Sequence, residues 1–351
     1  MRIAILIPSL ANKGPVIVAK DLSHYFVENG CDCHVYYFDE IKELDFPCQC
    51  TKIGFFENAD FSQYDIIHVH CLRPMLYAYF HRSQLKKSNV KVIATLHQPI
   101  TKEAFVIGGY NPLLATIIAF VNRIVYNSAD CNVVLSGIQH QLAKDILKNR
   151  IEIINNGRNI NCTEILNLEN KRLIEKLSQK YKILGSASVI TKGKGLDQIV
   201  NALINLKDFA FVCVGDGPEL SALKSLAIKN GVEDRCLWLG YQSDAANYYQ
   251  YFDLFVMTTH SEGFPLALIE ASGNKTASVL SNIEILRQII PSDCAVFYEL
   301  DNIESLSAAI VEAYNHKDDL SYKIYEHYKN NLTADIMGKR YLELFENIKK
   351  G

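Results

Sequence analysis

Short apolar runs recur along the whole chain, and between them apolar positions fall at helical spacing. The runs predict strands at 2–8, 33–38, 64–70, 90–97, 131–136 and 151–155. A charged, leucine-spaced stretch at 167–179 follows, and the series restarts at 181–189, 209–215, 235–240, 253–259, 277–281 and 295–299. Helices are expected at 15–29, 113–128, 138–148, 196–205, 218–230, 264–272 and 303–315. Strands alternating with helices build parallel sheets covered on both faces. A dozen strands in two groups therefore predict an α/β chain of two doubly wound, Rossmann-like domains. Their boundary is expected within 157–180, after "INNGRN", which gives one domain at 1–160 and another at 161–334. The closing stretch, 335–351, carries Ile336, Tyr341, Leu344 and Phe345 at helical spacing, so a further helix follows the second domain.

Composition narrows the classes without choosing among them. The 351 residues suit two or three domains, and 49% hydrophobic with 21% charged residues is ordinary globular usage. A net charge of −3 and a pI near 6.4 lack the basic excess of a nucleic-acid binder. The longest nearly apolar segment, Pro112 to Val121, is too short to cross a bilayer. The opening "MRIAILIPSLANKG" has too short an apolar run for a signal peptide and leads into a helix, so a soluble cytoplasmic protein is expected. Ten cysteines include no CxxC pair, and the two CxC pairs lack zinc-site spacing, which favours reduced thiols. In "HVHC", His68 and His70 share one strand face with no third ligand near in sequence, so no metal is expected there.

Open α/β sheets hold ligands beyond the carboxyl ends of their strands, so chemistry is sought in the loops there. The first strand ends in "PSLANKGP", where the lone Gly14 suits either a close approach to phosphate or a simple turn. No GxGxxG is present, which disfavours a nicotinamide dehydrogenase. The fourth strand ends at His97, which suits a donor to a hydroxyl or phosphate, an acid–base group, or an ordinary loop residue. In "SVITKGKGLDQIV", Lys192, Lys194 and Gly195 stand at a helix entrance, a point charge beside free N–H groups. "VGDGPEL" (214–220) is a tight Gly-Asp-Gly turn with Pro218 at a helix start. In "HSEGFPLALIEAS", Glu262 and Glu270 stand eight positions apart, about 80° around a common helix axis. Gly263 permits close backbone approach and Pro265 suits a first helical turn. Spacing alone leaves open an amphipathic helix with two solvated acids.

With "EGFPLALIEA", the chain resembles the family 4 glycosyltransferases, retaining enzymes of the GT-B fold whose marker is Glu, seven residues, Glu. Other landmarks follow in family order over most of the chain: Gly14, "DIIHVH", "ATLH", "VVLS", "NNG", "KG", "VGDGPEL" and "LG". The resemblance implies two Rossmann-like domains facing across a cleft, with the C-terminal helix crossing back to the N-terminal, acceptor-side domain. It implies a retaining hexosyltransferase that takes a nucleoside-diphosphate sugar, UDP favoured, to a glycan or lipid-linked acceptor in bacterial surface polysaccharide or lipopolysaccharide assembly. Glu270 would hold the ribose hydroxyls, and amides around Gly263, Phe264, Pro265 and Leu266 the sugar hydroxyls or phosphate. Glu262 would lie beside the sugar, Lys194 with Gly195 would meet the diphosphate, and His97 would reach the donor sugar. Gly14 would border phosphate and acceptor, with Asn12, Lys13 and Ser136 on the acceptor side. Front-face attack needs no cofactor, and no DxD stands at a strand end to hold a metal.

The chain departs from the family in two places. Val189 occupies the position of an Arg that pairs with the KG lysine, and Lys192 is the candidate replacement. The segment after Glu270, "ASGNKTASVLSN", lacks the family's small-G-x-P-V pattern. A sugar-nucleotide epimerase using His97 and Glu262, or a noncatalytic sugar-nucleotide-binding paralogue, are the competing readings. The segment 111–126, with Arg123 and the upstream Arg82, Lys86 and Lys87, suits either a core helix or peripheral contact with a membrane face.

Overall fold

A computed structural model describes residues 1–107, 109–161, 163 and 167–350. Cys162, part of the expected boundary and the last residue of the closing segment lie outside the described residues. The chain forms two units, Met1–Arg158 with Leu332–Gly351, and Asn159–Asn331.

The first unit holds strands β1 (Arg2–Leu10), β2 (Asp32–Lys42), β3 (Gln49–Lys52), β4 (Ile66–His70), β5 (Lys91–Leu96), β6 (Cys131–Val134) and β7 (Arg150–Ile153). They pair in parallel in the order β3-β2-β1-β4-β5-β6-β7. The second unit holds β8 (Lys182–Ala187), β9 (Phe209–Val214), β10 (Cys236–Trp238), β11 (Leu254–Met257), β12 (Ser278–Ser281) and β13 (Val296–Tyr298). Its parallel order is β10-β9-β8-β11-β12-β13. Each order reverses once, between β1 and β4 and between β8 and β11, which are the switch points where such sheets bind ligands.

Burial explains which strands the sequence shows. Every residue of the inner strands β4, β9 and β11 is buried, as continuous apolar runs in parallel sheets require. The edge strand β3, "QCTK", has no buried residue and no apolar pattern, so hydrophobic reading passes over it. Helices Leu72–Phe80, Arg82–Lys87, Lys102–Ile107, Glu284–Ile289 and Lys317–Asn331 were also not expected. The last is mostly polar and buries only Leu320, Ile324 and Tyr328, one narrow stripe.

Three expectations at the loops are corrected. Gly14 opens the first helix, Gly14–Glu28, instead of sitting in a loop. Pro265 is the extended residue just before the helix Leu266–Gly273, because its ψ of 116° lies outside the helical range. The helix expected at 196–205 runs only from Asp197 to Ala202, and Lys192–Lys194 form a separate 3-10 turn.

The closing helix, Ala334–Lys350, belongs to the first unit. It lies on the helix Gly14–Glu28, with Phe26 and Phe345 ring centroids 5.6 Å apart and Gly338 against the Tyr25 ring. Phe26 and Phe345 are fully buried, and each such ring contributes about 1.5–3 kcal/mol by leaving water. The Tyr341 hydroxyl reaches Thr95 of β5 at 2.8 Å.

Candidate functional site

In the second unit, the loops on either side of the strand-order reversal are clipped together. After β8 the chain passes Ser188 to Gly195, and after β11 it passes Thr258 to Pro265. The His260 N–H donates to the Gly193 carbonyl at 2.9 Å, and the Thr258 hydroxyl donates to that of Lys194 at 2.9 Å. Gln198, buried in the short helix, donates to the Thr258 carbonyl at 3.1 Å and accepts from the Tyr298 hydroxyl at 2.8 Å and the Asp301 N–H at 3.0 Å. Gly195 takes φ 59°, and a Cβ there would stand 2.4 Å from the Thr258 carbonyl oxygen. Only glycine lets the two backbones come this close.

The clip fixes the Lys194 ammonium against Glu262. Lys194 Nζ donates to Glu262 Oε1 at 2.6 Å, and the two side chains are 29% and 10% exposed. Glu262 sits in the loop and not on the helix, so the expected 80° relation to Glu270 does not apply. Glu270 itself is buried in the middle of the helix Leu266–Gly273. No side chain caps that helix at Pro265. Pro265 has no N–H, so it drops out of the expected backbone donors around Gly263, Phe264, Pro265 and Leu266. Lys192 is exposed, and Val189 is 65% exposed.

The Gly-Asp-Gly turn braces the same loop from the β9 side. Gly215 has φ 140°, and a Cβ there would lie 1.9 Å from the Ser188 carbonyl oxygen. Its N–H donates to Gly240 at 2.8 Å, and the Ile190 N–H donates to Asp216 at 2.9 Å. The helix after this turn begins at Leu220, so Pro218 precedes it.

The first unit gathers another group of the expected residues at its own reversal. Lys13 is exposed just before the first helix, and the Asn12 N–H donates to Glu43 at 2.8 Å. His97, just beyond β5, lies against His70 at the end of β4, with Nε2 2.8 Å from His70 Nδ1. Burial holds His97 down to about 4 and His68 to about 3, so the rings are neutral near pH 7. Ser136 is buried, and its hydroxyl accepts from the Gln139 N–H at 3.3 Å as a helix cap. The cap uses one lone pair of that hydroxyl, which still has its proton to donate. Arg82 is committed, to Asp130 at 2.6 Å and the Ser128 carbonyl at 2.8 Å.

Sequence reading missed Gln198, Thr258 and Thr259, which hold the clip. The signal was present in "MTTH", hydroxyls at the end of a buried strand, but their partners lie some sixty residues away in the chain. Among the described residues no three His, Cys, Asp or Glu side chains converge as a metal site.

Two Rossmann-like units of this strand order are the GT-B fold, and the comparisons agree with it. Residues 167–332 match the family model described as Glycosyl transferases group 1, and residues 54–161 that described as Glycosyltransferase Family 4. The chain belongs to the family 4 glycosyltransferases. It is 22% identical to the O-antigen biosynthesis glycosyltransferase WclY of Escherichia coli, over 99% of both chains. The sucrose-phosphate synthase of Thermosynechococcus elongatus is similar in structure, with a TM-score of 0.80 at 16% identity over 99% of this chain and 98% of that one. HepE of Anabaena, in complex with UDP and glucose, also reaches 0.80, at 14% identity over 99% and 100%.

Proposed function

We propose that this glycosyltransferase moves a hexose, with retention, from a UDP-sugar to a hydroxyl of a glycan or lipid-linked acceptor, in assembling bacterial lipopolysaccharide or O-antigen. The names of the Escherichia coli relative and of the UDP-bound Anabaena protein support the setting and the nucleotide. The observation that carries the reading is the Lys194–Glu262 pair, 2.6 Å apart at the strand-order reversal of the second sheet. A lysine fixed there is a preorganised positive charge where a diphosphate leaves. Glu270 accepts from the ribose hydroxyls, and the N–H groups of Gly263, Phe264 and Leu266 meet sugar and phosphate oxygens. The bond from the anomeric carbon to the diphosphate breaks, and the acceptor oxygen bonds that carbon on the same face. The acceptor's proton passes to the departing phosphate, so no resident cofactor or metal enters the scheme.

The test is nucleoside diphosphate release from UDP-, GDP- and ADP-sugars, with chelator present and Glu270→Ala as control. One donor should be slowly hydrolysed, and the variant should lose that turnover. Donor binding without turnover against any acceptor would favour the noncatalytic reading, for which the exposed Val189 stands.

The helix Pro112–Tyr126 supports an acceptor presented at a membrane surface. It buries Ala115, Asn122, Val125 and Tyr126 but leaves Leu113, Ile117 and Phe120 at 73%, 52% and 61% exposure. Arg123 stands in its last turn, and a neighbouring groove is lined by Lys102, Phe120 and Arg123. No helix among the described residues is long and apolar enough to cross a membrane, so such contact is peripheral. The protein should sediment with anionic phospholipid vesicles at low salt, and Ile117→Glu with Phe120→Glu should abolish this. Equal sedimentation of the double variant would sink the proposal.

A further inference from the structure

Strands β4 and β5 run parallel with His70 level with Thr95. Side chains alternate along a strand, so His68 and His70 share a face with Thr95 and with His97 beyond it. One diagonal offset is used twice. His68 Nε2 lies 2.8 Å from Thr95 Oγ1, and His70 Nδ1 lies 2.8 Å from His97 Nε2. His70 is completely buried, and its other nitrogen, Nε2, meets no protein partner. Its ring packs beside that of His68, centroids 4.3 Å apart. The next residue, Cys71, holds φ 72° and ψ 164°, a backbone state nearly confined to glycine. Such states persist where the surroundings over-determine them, and they cluster at functional sites.

Burial, with the neighbouring imidazoles His68 and His97, disfavours charge on His70, so each ring of the contact carries one proton. A 2.8 Å contact between two neutral imidazoles needs one donor and one acceptor. If His97 donated from Nε2, the proton of His70 would sit on Nε2, a buried N–H without a partner. If His70 donates from Nδ1, only a lone pair is left unmatched there. Orphaned buried N–H groups are the rarer case, which selects the second arrangement and puts the His97 proton on Nδ1.

We propose that His70 is a positioning residue that fixes the tautomer of His97, so that His97 offers an uncharged Nδ1–H to an oxygen of the bound sugar nucleotide. The substrate's identity rests on the glycosyltransferase reading above; the tautomer does not. His97 therefore binds as a neutral hydrogen-bond donor and does not shuttle protons.

Nitrogen-15 NMR of the histidine-labelled full-length protein, without substrate, tests the tautomer directly. His97 should carry its proton on Nδ1 and His70 on Nδ1, and a proton on Nε2 of His97 would overturn the proposal whatever the enzyme transfers. Kinetics then test the consequence. His70→Asn places an amide N–H where Nδ1–H stood and should keep kcat within about threefold of wild type. His70→Leu should lower kcat about tenfold to a hundredfold, the range of one lost hydrogen bond at a reacting complex, with nucleotide affinity unchanged. Equal loss in both variants would reduce His70 to a packing residue. A correct tautomer with no transfer activity in any variant would instead count against the function proposed above.

Discussion

Lys194→Met should lower kcat by about two to three orders of magnitude while the fold survives. The number is that of removing one preorganised charge from a leaving group in a site screened from water. Two effects act together. The variant removes the cation that would meet the departing diphosphate, and it strands the Glu262 carboxylate, whose side chain is only 10% exposed and whose partner stood 2.6 Å away. An unpaired carboxylate at that depth costs stability as well as rate, so the thermal midpoint should fall too. Lys194→Arg is not a mild substitute, because a planar fork does not fill the place of a compact ammonium. The exposed Lys192 is the only other cation of its turn, so Lys192→Ala in the Lys194→Met background reports any compensation. A Lys194→Met enzyme with kcat within threefold of wild type would mean that the diphosphate charge is met elsewhere.

Acid should destabilise the first unit far more steeply than its carboxylates alone would. In the folded chain burial holds His68 near 3 and His97 near 4, whereas an unfolded imidazole titrates near 6.5. Between these values the unfolded chain binds protons that the folded chain refuses. The stability is therefore complete above about pH 6.5 and is lost as pH falls toward the folded values. At pH 4.5 His68 alone accounts for about 3 kcal/mol, since each pH unit below its unfolded value is worth about 1.4 kcal/mol. His97, a residue only partly buried, adds less than a fully buried imidazole would. The check is calorimetry of the intact protein from pH 7 to 4.5 beside His68→Gln, whose amide can take over the hydrogen bond to Thr95 without titrating. The variant's midpoint should fall less with acid than wild type's. Parallel curves would show that His68 does not drive the loss.

The fold was legible because inner strands of parallel sheets are buried on both faces and leave continuous apolar runs, as in β4, β9 and β11. What stayed hidden was held by geometry that leaves no run. Strand β3 is hydrogen-bonded along one edge with no buried side chain. The marker residues Glu262 and Glu270 were legible as a spaced pair, but spacing alone suggested a shared helix, whereas Glu262 lies in the loop before it. Its partner Lys194 was flagged on its own merits, yet nothing local ties residues 194 and 262 together; the pairing of β8 with β11 does. The His70–His97 contact has the same origin, two strand ends joined by the register of β4 against β5. Long-range hydroxyl and amide clips such as Thr258 and Gln198 remain outside what periodicity encodes.

The first unit is written in two pieces, with the whole of Asn159–Asn331 between them. A ribosome therefore releases the second unit, entire in sequence, before the residues that complete the first have been made. Until Ala334–Lys350 emerges, the faces of Phe26 and Thr95 that it covers lack their partners Phe345 and Tyr341. Domains that are continuous in sequence can fold during synthesis; the first unit must wait until Leu332–Gly351 has been made. Completion of the first unit is thereby coupled to synthesis of its second piece, and a chain cut before Ala334 carries an entire second unit attached to an unfinished first.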